Sequence, residues 1–132
     1  MEKKKKEADS KRLKALEFGR FAEQKVCEEY IKQGCVILER NWRLGKTEID
    51  IISQDGNEVI MIEVKARGGL EEEALNAVTI DKRRRMVKAA DAFLRGLKGE
   101  YSYRFDIVAV TGDMENYNIE IHKDAFLAAD LF

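Results

Sequence analysis

The sequence predicts an α/β fold in which a central mixed β-sheet is flanked by helices. Hydrophobic residues recur at intervals of three and four in two long segments, which is typical of amphipathic helices. Other segments are short, rich in β-branched and aromatic residues and bounded by turn residues, which indicates strands. The predicted order is a helix, three strands, a helix, two strands and a short terminal helix, so helices can cover both faces of one sheet.

Length and composition predict one domain preceded by a charged tail. The chain has 132 residues, of which 45% are hydrophobic, and this is enough for one core. Residues 1–13 are charged and nearly lack core-forming side chains, so we expect a solvated tail there and a single domain over residues 14–132. The first helix is predicted from about Lys14 to Gln33, and Gly34 follows it as a stop signal.

The stretches "CVILERNW", "TEIDIIS" and "EVIMIEVKA" are predicted as strands, and a tight turn joins the last two. Asp-Gly between apolar runs is a strong hairpin signal, and it occurs here at residues 55–56. A two-residue turn at this point would place Asp50 opposite Met61 in the neighbouring strand. Glu48 would then face Glu63.

The second half of the chain predicts a helix, two strands and a terminal helix. Thr79 is a suitable N-cap, and apolar residues follow it at helical spacing. The stretches "YRFDIVAVT" and "YNIEIH" are predicted as strands, and "KDAFLAADLF" as the short terminal helix. The preceding stretch "RGGLEEEALNA" is expected to be a mobile connection.

Ionic side chains interrupt the predicted hairpin, where apolar or β-branched residues would pair at lower cost. Because side chains alternate along a strand, these residues share one face, opposite to that of Ile49 and Ile51. They are Glu48, Asp50, Glu63 and Lys65. The predicted register makes Asp50 and Glu63 diagonal neighbours with Cβ atoms about 7 to 8 Å apart, so both carboxylates could reach one ion.

The first helix directs a further carboxylate toward the sheet. Glu23 lies at the centre of the apolar face of this helix, with apolar residues within about 60° on either side. An ionised carboxylate left unpaired in a dry interior is strongly destabilising. Glu23 therefore requires a partner or access to water.

Two interpretations of these acids are open from the residues alone. In the first, they form structural ion pairs, for instance Glu23 with Arg43, or Glu63 near Lys65. In the second, they bind a hard divalent cation, Mg²⁺ or Mn²⁺, which takes carboxylates, water and substrate phosphate as ligands. Such a cation would polarise a phosphoryl oxygen and activate water, while a positioned lysine orients the nucleophile or stabilises developing charge.

Seven motifs resemble, in order and spacing, those of the YraN-type uncharacterised family: "GRFAE", "ERNWR", "TEIDII", "MIEVKAR", "AVTIDKRRRMVKAADAFL", "RFDIVAV" and "IHKDAF". This family is similar to archaeal Holliday junction resolvases and belongs to the PD-(D/E)xK nuclease superfamily. The resemblance runs over residues 19–126 and implies a restriction-endonuclease-like fold of order αβββαββα. By position, it implies Asp50 and Glu63 as ligands of Mg²⁺ or Mn²⁺. Glu23 would assist through metal or water, and Lys65 would position the attacking water.

Basic side chains near these acids are candidates for contacts with DNA phosphates, although the run on the second helix is also compatible with a solvated face. The candidates are Arg40, Arg43, Lys46, Arg67, Lys82, Arg83 and Arg84. Trp42 is expected to be buried against the sheet, and His122 to have a packing or capping role. Asp106 is expected to pair with Arg104 or Lys82.

The leading hypothesis is a metal-dependent DNA endonuclease, which the resemblance directs toward branched or recombination DNA. The alternatives are a non-catalytic DNA-binding or DNA-processing accessory domain, and an interaction module in which the acids only pair with arginine. The net charge of -1 excludes an overall basic surface, so DNA contacts must rest on local clusters. Related resolvases act as dimers, which makes a homodimer an expectation.

Cysteine usage and hydropathy predict a cytoplasmic protein. Cys27 and Cys35 are too few for a disulfide framework and lack the spacing of zinc ligands. The basic start has no apolar signal-peptide core, and no run approaches the length of a membrane span. We therefore expect neither export nor membrane insertion.

Overall fold

The computed structural model describes residues 1–67 and 77–132, except for the side chain of Arg67. Residues 68–76, most of the predicted mobile connection, lie outside the described part. The elements are α1 (Glu2–Lys32), β1 (Val36–Leu44), β2 (Thr47–Asp55), β3 (Glu58–Arg67), α2 (Ile80–Arg95), β4 (Ser102–Gly112), β5 (Tyr117–His122) and a 3₁₀ turn (Ala128–Asp130). The predicted α/β fold with one helix, three strands, one helix and two strands is confirmed.

The strands form one mixed sheet in the order β1-β2-β3-β4-β5. Neighbouring strands are antiparallel except β3 and β4, which are parallel. Parallel neighbours need a crossover connection, and α2 supplies it between β3 and β4. This arrangement matches the restriction-endonuclease-like architecture that the motifs predict.

The two helices cover opposite faces of the sheet and create two apolar cores. The core under α1 contains Ala22, Val26, Cys27, Tyr30, Ile51, Ile60, Ile62, Val108 and Val110. The core under α2 contains Ile49, Ile52, Val59, Met61, Met86, Ala89, Ala90, Phe105 and Ile107. Complete burial of a large aliphatic side chain contributes about 1.5 to 3 kcal/mol relative to exposure, so these two layers fix both helices on the sheet.

The hairpin between β2 and β3 has a different register from the predicted one. Asp55 pairs with Glu58, so the turn consists of Gly56 and Asn57, one residue later than predicted. Each residue of β2 therefore pairs with a residue two places further along β3 than the predicted register gives. Gly56 has a φ of 59°, a left-handed conformation that glycine adopts without steric cost, and this fixes the position of the turn. The predicted pair of Asp50 with Met61 is therefore wrong, because Met61 pairs with Ile52.

Strand β2 also breaks the predicted alternation of its side chains at Asp50. Ile49 packs in the core under α2, whereas Ile51 packs in the core under α1, although a regular strand would direct both to one face. Beside this point, Asn41 of β1 has a φ of 52°, which a regular strand does not contain. The backbone is thus irregular where the first predicted site residue lies.

Helix α1 begins at Glu2, although the sequence predicts a helix only from about Lys14. Residues 1–17 are all exposed, so the solvated character expected of the N-terminal segment is present. The helix continues through this segment because lysine, glutamate and alanine are strong helix formers. The division between a tail and a domain at residue 13 stays a prediction.

The C-terminal segment forms a 3₁₀ turn at Ala128–Asp130 in place of the predicted terminal α-helix. The N–H of Ala125 donates to the carbonyl oxygen of Phe105 at 2.8 Å, and the Phe126 ring stacks on Phe105 with centroids 4.6 Å apart. Leu131 is also buried in the core under α2. These attachments hold the segment against β4 in a path that a continuous helix could not follow.

Among the described residues, no helix has both the length and the apolar composition that crossing a bilayer requires.

Candidate active site

The candidate site lies where β2 and β3 separate. The pairing of the two strands ends with Ile51 and Ile62. One step further, the N–H of Val64 donates to Oδ2 of Asp50 at 2.8 Å, so a carboxylate occupies the place of a backbone acceptor. This bond fixes the Asp50 side chain at the opening between the strands.

Glu63 lies next to this opening and is only 6% exposed. Its Oε1 is 3.5 Å from Nζ of Lys65, two residues further along β3. Its Oε2 is buried and accepts no hydrogen bond from any described residue. A buried acceptor without a donor is destabilising, by about 1 to 3 kcal/mol, so the site is suited to a ligand that would engage this oxygen.

The electrostatics of the pair follow from burial and proximity. Burial raises the pKa of Glu63 to about 7, the negative charge of Asp50 adds to the shift, and Lys82 and Lys65 oppose it. Burial also raises the pKa of Asp50, against the bond from Val64. The charge of Asp50 thus makes ionisation of Glu63 less favourable, and the charge of Glu48 does the same for Asp50, as expected of acids that lie close together.

Glu23 approaches the pair from α1, as the position on the apolar face predicts. Burial raises its pKa to about 7, and the charges of Asp50 and Glu48 add to this while Arg40 opposes it. The guanidinium of Arg40 in turn donates to Oε1 of Gln24 at 2.8 Å. A third carboxylate therefore lies within electrostatic range of Asp50, on a different element.

The acids fit a divalent cation through two ligands rather than three. Within residues 1–67 and 77–132, no group of three or more His, Cys, Asp or Glu side chains is arranged to hold one ion. Mg²⁺, however, usually binds one or two carboxylates and completes its shell with water and phosphate. Asp50 and Glu63, whose Oε2 has no donor among the described residues, are the candidates for such a pair of ligands. Glu23 lies near this pair without completing a third ligand.

Lys82 enters the site from α2, although the sequence predicted it only as a DNA contact or as a partner of Asp106. Its Nζ donates to the carbonyl oxygen of Glu48 at 3.2 Å, and its charge lowers the pKa of both Asp50 and Glu63. One signal could have found it: Lys82 precedes the buried Met86 by four residues, so both lie on the sheet-facing side of the helix.

The remaining basic candidates divide into two groups. Arg40, Arg43 and Lys46 are exposed on β1 and the following turn, and Arg43 pairs with Glu48 at 2.7 Å. Arg67 ends β3. In contrast, Nε of Arg83 donates to the carbonyl oxygen of Val78 at 2.9 Å, and its guanidinium lies over the Phe126 ring, 5.3 Å from the centroid.

Arg84 belongs with Arg83 as a residue that holds the chain together. Its Nε donates to the carbonyl oxygen of Leu131 at 2.8 Å, and its NH1 is 3.8 Å from Oδ1 of Asp81. In the basic run on α2, the side chain of Lys82 therefore lies in the site, whereas those of Arg83 and Arg84 bind neighbouring segments of the chain.

Three further side chains have structural roles. Trp42 packs edge-on against Phe93, with centroids 5.3 Å apart, as its predicted burial requires. Asp106 is fully buried and accepts hydrogen bonds from Arg104 at 3.0 Å and from the Tyr30 hydroxyl at 2.6 Å, so the predicted partner Arg104 is confirmed. His122 is half-buried in β5, opposite Ile107.

The chain is similar to proteins of one uncharacterised family. A model of the uncharacterised protein family UPF0102 matches residues 22–110. A UPF0102 protein of Phocaeicola vulgatus is 38% identical over 115 residues, which cover 83% of this chain and 92% of the relative. One from Bacteroides thetaiotaomicron is 36% identical over 111 residues, with the same shares covered. One from Chlorobium chlorochromatii is 38% identical over 119 residues.

Among solved structures, the chain is similar to Pyrococcus furiosus SfsA in complex with Ca²⁺, at 14% identity and a TM-score of 0.29. The match covers 86% of this chain and 63% of that chain.

Proposed function

This chain belongs to the uncharacterised protein family UPF0102, and from that premise we propose that it is a DNA endonuclease that depends on Mg²⁺ or Mn²⁺. One observation carries the proposal. Asp50 and Glu63 lie where two strands separate, Oε2 of Glu63 has no hydrogen-bond donor in the described part of the chain, and two lysines approach the same point. This combination supports hydrolysis of a phosphodiester, because its transition state gathers negative charge beside a water nucleophile.

Each residue has a role that its position supports. Asp50 and Glu63 would hold the cation, which when bound supplies Lewis-acid polarisation of a phosphoryl oxygen and a more acidic water. Lys65 positions the attacking water beside Glu63. Lys82 lowers the pKa of both carboxylates, against the effect of burial, and adds positive charge for the phosphate. Glu23, with its pKa raised to about 7, can accept or release a proton near neutral pH.

The substrate in this proposal is branched or duplex DNA, and the branched class derives from the resemblance to Holliday junction resolvases. The exposed side chains of Arg40, Arg43 and Lys46 are available for phosphates on the β1 side of the site. Such contacts do not depend on base sequence, which suits recognition of a DNA shape.

A second candidate is a non-catalytic DNA-binding or DNA-processing accessory domain with the same fold. One observation favours it: within the described residues, the acids do not form a three-ligand metal set. The two candidates differ in turnover, and both require DNA binding.

The test is cleavage of labelled four-way junction, flap, single-stranded and duplex DNA by the purified protein with Mn²⁺ or Mg²⁺. We expect cutting of at least one substrate, abolished by EDTA and reduced at least about a hundredfold in Asp50→Asn and Glu63→Gln. Asp91→Asn, an exposed acid that pairs with Arg95 at 3.4 Å, is the matched control and should cut like the wild type. Absence of cutting on every substrate, or full activity of Glu63→Gln, would remove the endonuclease assignment.

A further inference from the structure

The first three turns of α1 extend beyond the sheet as an exposed basic helix, which we call the arm (residues 2–13). The helix has 31 residues, and residues 2–13 are all exposed. Further along the helix, Lys14, Ala15, Glu17 and Phe18 line a groove of about 620 Å³ with Gly112 to Glu115 of the β4–β5 turn. The arm therefore projects for about 18 Å. It precedes residues 22–110, the part that the family shares, so the family match assigns it no role.

The N-terminal segment carries a local excess of positive charge. Residues 1–14 contain seven basic and three acidic side chains, whereas the whole chain has a net charge of -1. The basic ones are Lys3, Lys4, Lys5, Lys6, Lys11, Arg12 and Lys14, and all are exposed. Neighbouring lysines on one helix repel one another and lower the stability of the helix. A bound polyanion would offset this repulsion.

The arrangement around the helix distinguishes the arm from an ordinary solvated charge run. Four cations, which we call the inner cations, lie within about 60° of Ala8 around the axis at 3.6 residues per turn. They are Lys4, Lys5, Lys11 and Arg12. The acids Glu2, Glu7 and Asp9 lie about 100° or more from Ala8, so the face centred on Ala8 is purely basic.

The same face, followed along the helix, is the one that packs on the sheet. Ala8, Ala15 and Ala22 succeed one another at intervals of seven residues and drift by only about 20° per step. Ala22 is fully buried in the core under α1, whereas Ala8 is exposed. Past the edge of the sheet, the sheet-facing side thus changes from apolar to cationic, and the inner cations face the space beyond that edge.

The candidate site opens at this edge too. The β4–β5 turn beside Phe18 follows the end of β4, and Thr111 of β4 pairs with Arg67, the last residue of the parallel strand β3. Glu63 lies four residues before that end of β3. The arm and the opening of the site therefore lie at the same end of the parallel strands β3 and β4.

We infer that the arm is a binding site for the sugar-phosphate backbone of DNA that leads into the site between β2 and β3, an inference that rests on the proposed function. The groove at its base carries Glu17, Asp113 and Glu115, so phosphates contact the outer turns and avoid the base. An anionic membrane surface is the less suitable partner, because residues 2–12 contain no large apolar side chain to insert between lipids.

The test compares two variants of the full chain that each remove four positive charges from α1. The first is K4Q/K5Q/K11Q/R12Q, which removes the inner cations. The second is K3Q/K6Q/K14Q/R20Q, whose residues all lie about 120° or more from Ala8. Glutamine is a good helix former, and circular dichroism checks that both variants keep the helix content of the wild type.

Binding to a fluorescein-labelled duplex and to a labelled four-way junction is measured by anisotropy in EDTA, across a series of salt concentrations. The inner-cation variant is expected to bind at least about tenfold more weakly near 100 mM salt, with a salt slope lower by about 2 to 4, because each phosphate contact contributes about 0.9. The matched variant should stay within about threefold of the wild type. Equal losses in both variants would mean that only total charge matters, and would overturn the inference, as would unchanged binding by the inner-cation variant.

Two further outcomes separate this inference from the nuclease proposal. Loss of binding to phosphatidylserine vesicles by the inner-cation variant, with DNA binding unchanged, would assign the arm to membranes and overturn the inference. Because DNA binding is measured without metal, the experiment can confirm the inference about the arm even if the wild type cuts no DNA. Conversely, the wild type could cut DNA with Mn²⁺ while the inner-cation variant binds and cuts normally. That result would support the nuclease proposal and overturn the inference about the arm.

Discussion

At the scale of single residues, the candidate site contains a buried carboxylate that lowers the stability of the fold and is suited to bind a ligand. Glu63 is enclosed by protein, yet its Oε2 has no donor among the described residues, and the nearby Asp50 adds negative charge. A fold selected only for stability would place a neutral or apolar side chain here. Such a local penalty is typical of positions retained for chemistry.

The pH dependence of stability should reveal this penalty. Below pH 4.5, the ordinary pKa of a glutamate, Glu63 is protonated in both folded and unfolded chains and has little effect. Its pKa is raised to about 7 in the folded protein, so between these values the unfolded chain gains by ionising, and above pH 7 the folded protein carries a buried charge. Wild-type stability should therefore fall as the pH rises through this window.

Glu63→Gln removes the charge and should raise the free energy of unfolding at pH 8 by about 2 kcal/mol, with little change at pH 4.5. Urea unfolding in EDTA at both pH values measures this. Glu115→Gln, in the exposed β4–β5 turn, is the control and should have no effect at either pH. An equal effect of Glu63→Gln at both pH values would show that the buried charge is not the cause.

Substitution of Lys65 tests whether metal binding and catalytic turnover depend on different, neighbouring side chains. It lies 3.5 Å from Oε1 of Glu63, outside the proposed ligand pair. Lys65→Met keeps the aliphatic stem and loses the charge, so we expect cleavage to fall by about 10²- to 10⁴-fold. Mn²⁺ affinity, measured by calorimetry, should stay within about threefold of the wild type. Parallel loss of affinity and rate would assign Lys65 to the metal site instead.

At the scale of elements, a buried hydrogen bond fixes α1 on the sheet. Burial raises the pKa of Tyr30, so its hydroxyl stays protonated and donates to Oδ2 of Asp106 in β4. Arg104 and the N–H of Asp124 donate to the same carboxylate, which ties together a helix, a strand and the C-terminal segment. Tyr30 lies seven residues after Glu23, so this anchor also sets how Glu23 approaches the site.

Tyr30→Phe should lower the free energy of unfolding by about 2 kcal/mol, because a buried charged acceptor loses one donor while packing is kept. Chemical unfolding at pH 7 measures the change. Tyr103→Phe is the control, since Tyr103 is partly exposed in the same region and should change stability by less than about 0.5 kcal/mol. If both variants lose the same stability, the bond to Asp106 contributes no more than an exposed hydroxyl does.

At the scale of the whole molecule, metal binding and folding are linked. The proposed ligands lie on β2 and β3 and meet only when the hairpin is folded, so a bound cation stabilises the native state alone. At a Mn²⁺ concentration about a hundred times its Kd, the gain should be about 2.7 kcal/mol. An interaction module whose acids only pair with arginine would show no such gain.

Thermal unfolding with increasing Mn²⁺ measures this linkage. The Tm of the wild type and of Asp91→Asn should rise with Mn²⁺, whereas that of Asp50→Asn should not, because it lacks one ligand. A constant Tm in the wild type up to millimolar Mn²⁺ would be evidence against a metal site between β2 and β3.

The sequence alone was sufficient to predict the features that depend on local periodicity. The order of elements, the mixed sheet and the positions of Asp50, Glu63 and Lys65 on adjacent strands follow from alternating and helical patterns and from the turn signal between β2 and β3. The family resemblance rests on the same motifs and is confirmed. Short-range backbone geometry determines these features, and it is encoded within a few residues of each.

Only the tertiary structure decided how those elements meet. The register of β2 and β3 depends on which residues the turn around Gly56 uses, and the break at Asp50 depends on packing of Ile49 and Ile51 against opposite helices. Likewise, the side chain of Lys82 donates to the carbonyl oxygen of Glu48 in the site, whereas those of Arg83 and Arg84 donate to carbonyl oxygens away from it, although all three are adjacent in one basic run. The partners of these side chains are distant in sequence, so no local pattern could assign them; the packed chain alone brings them within reach.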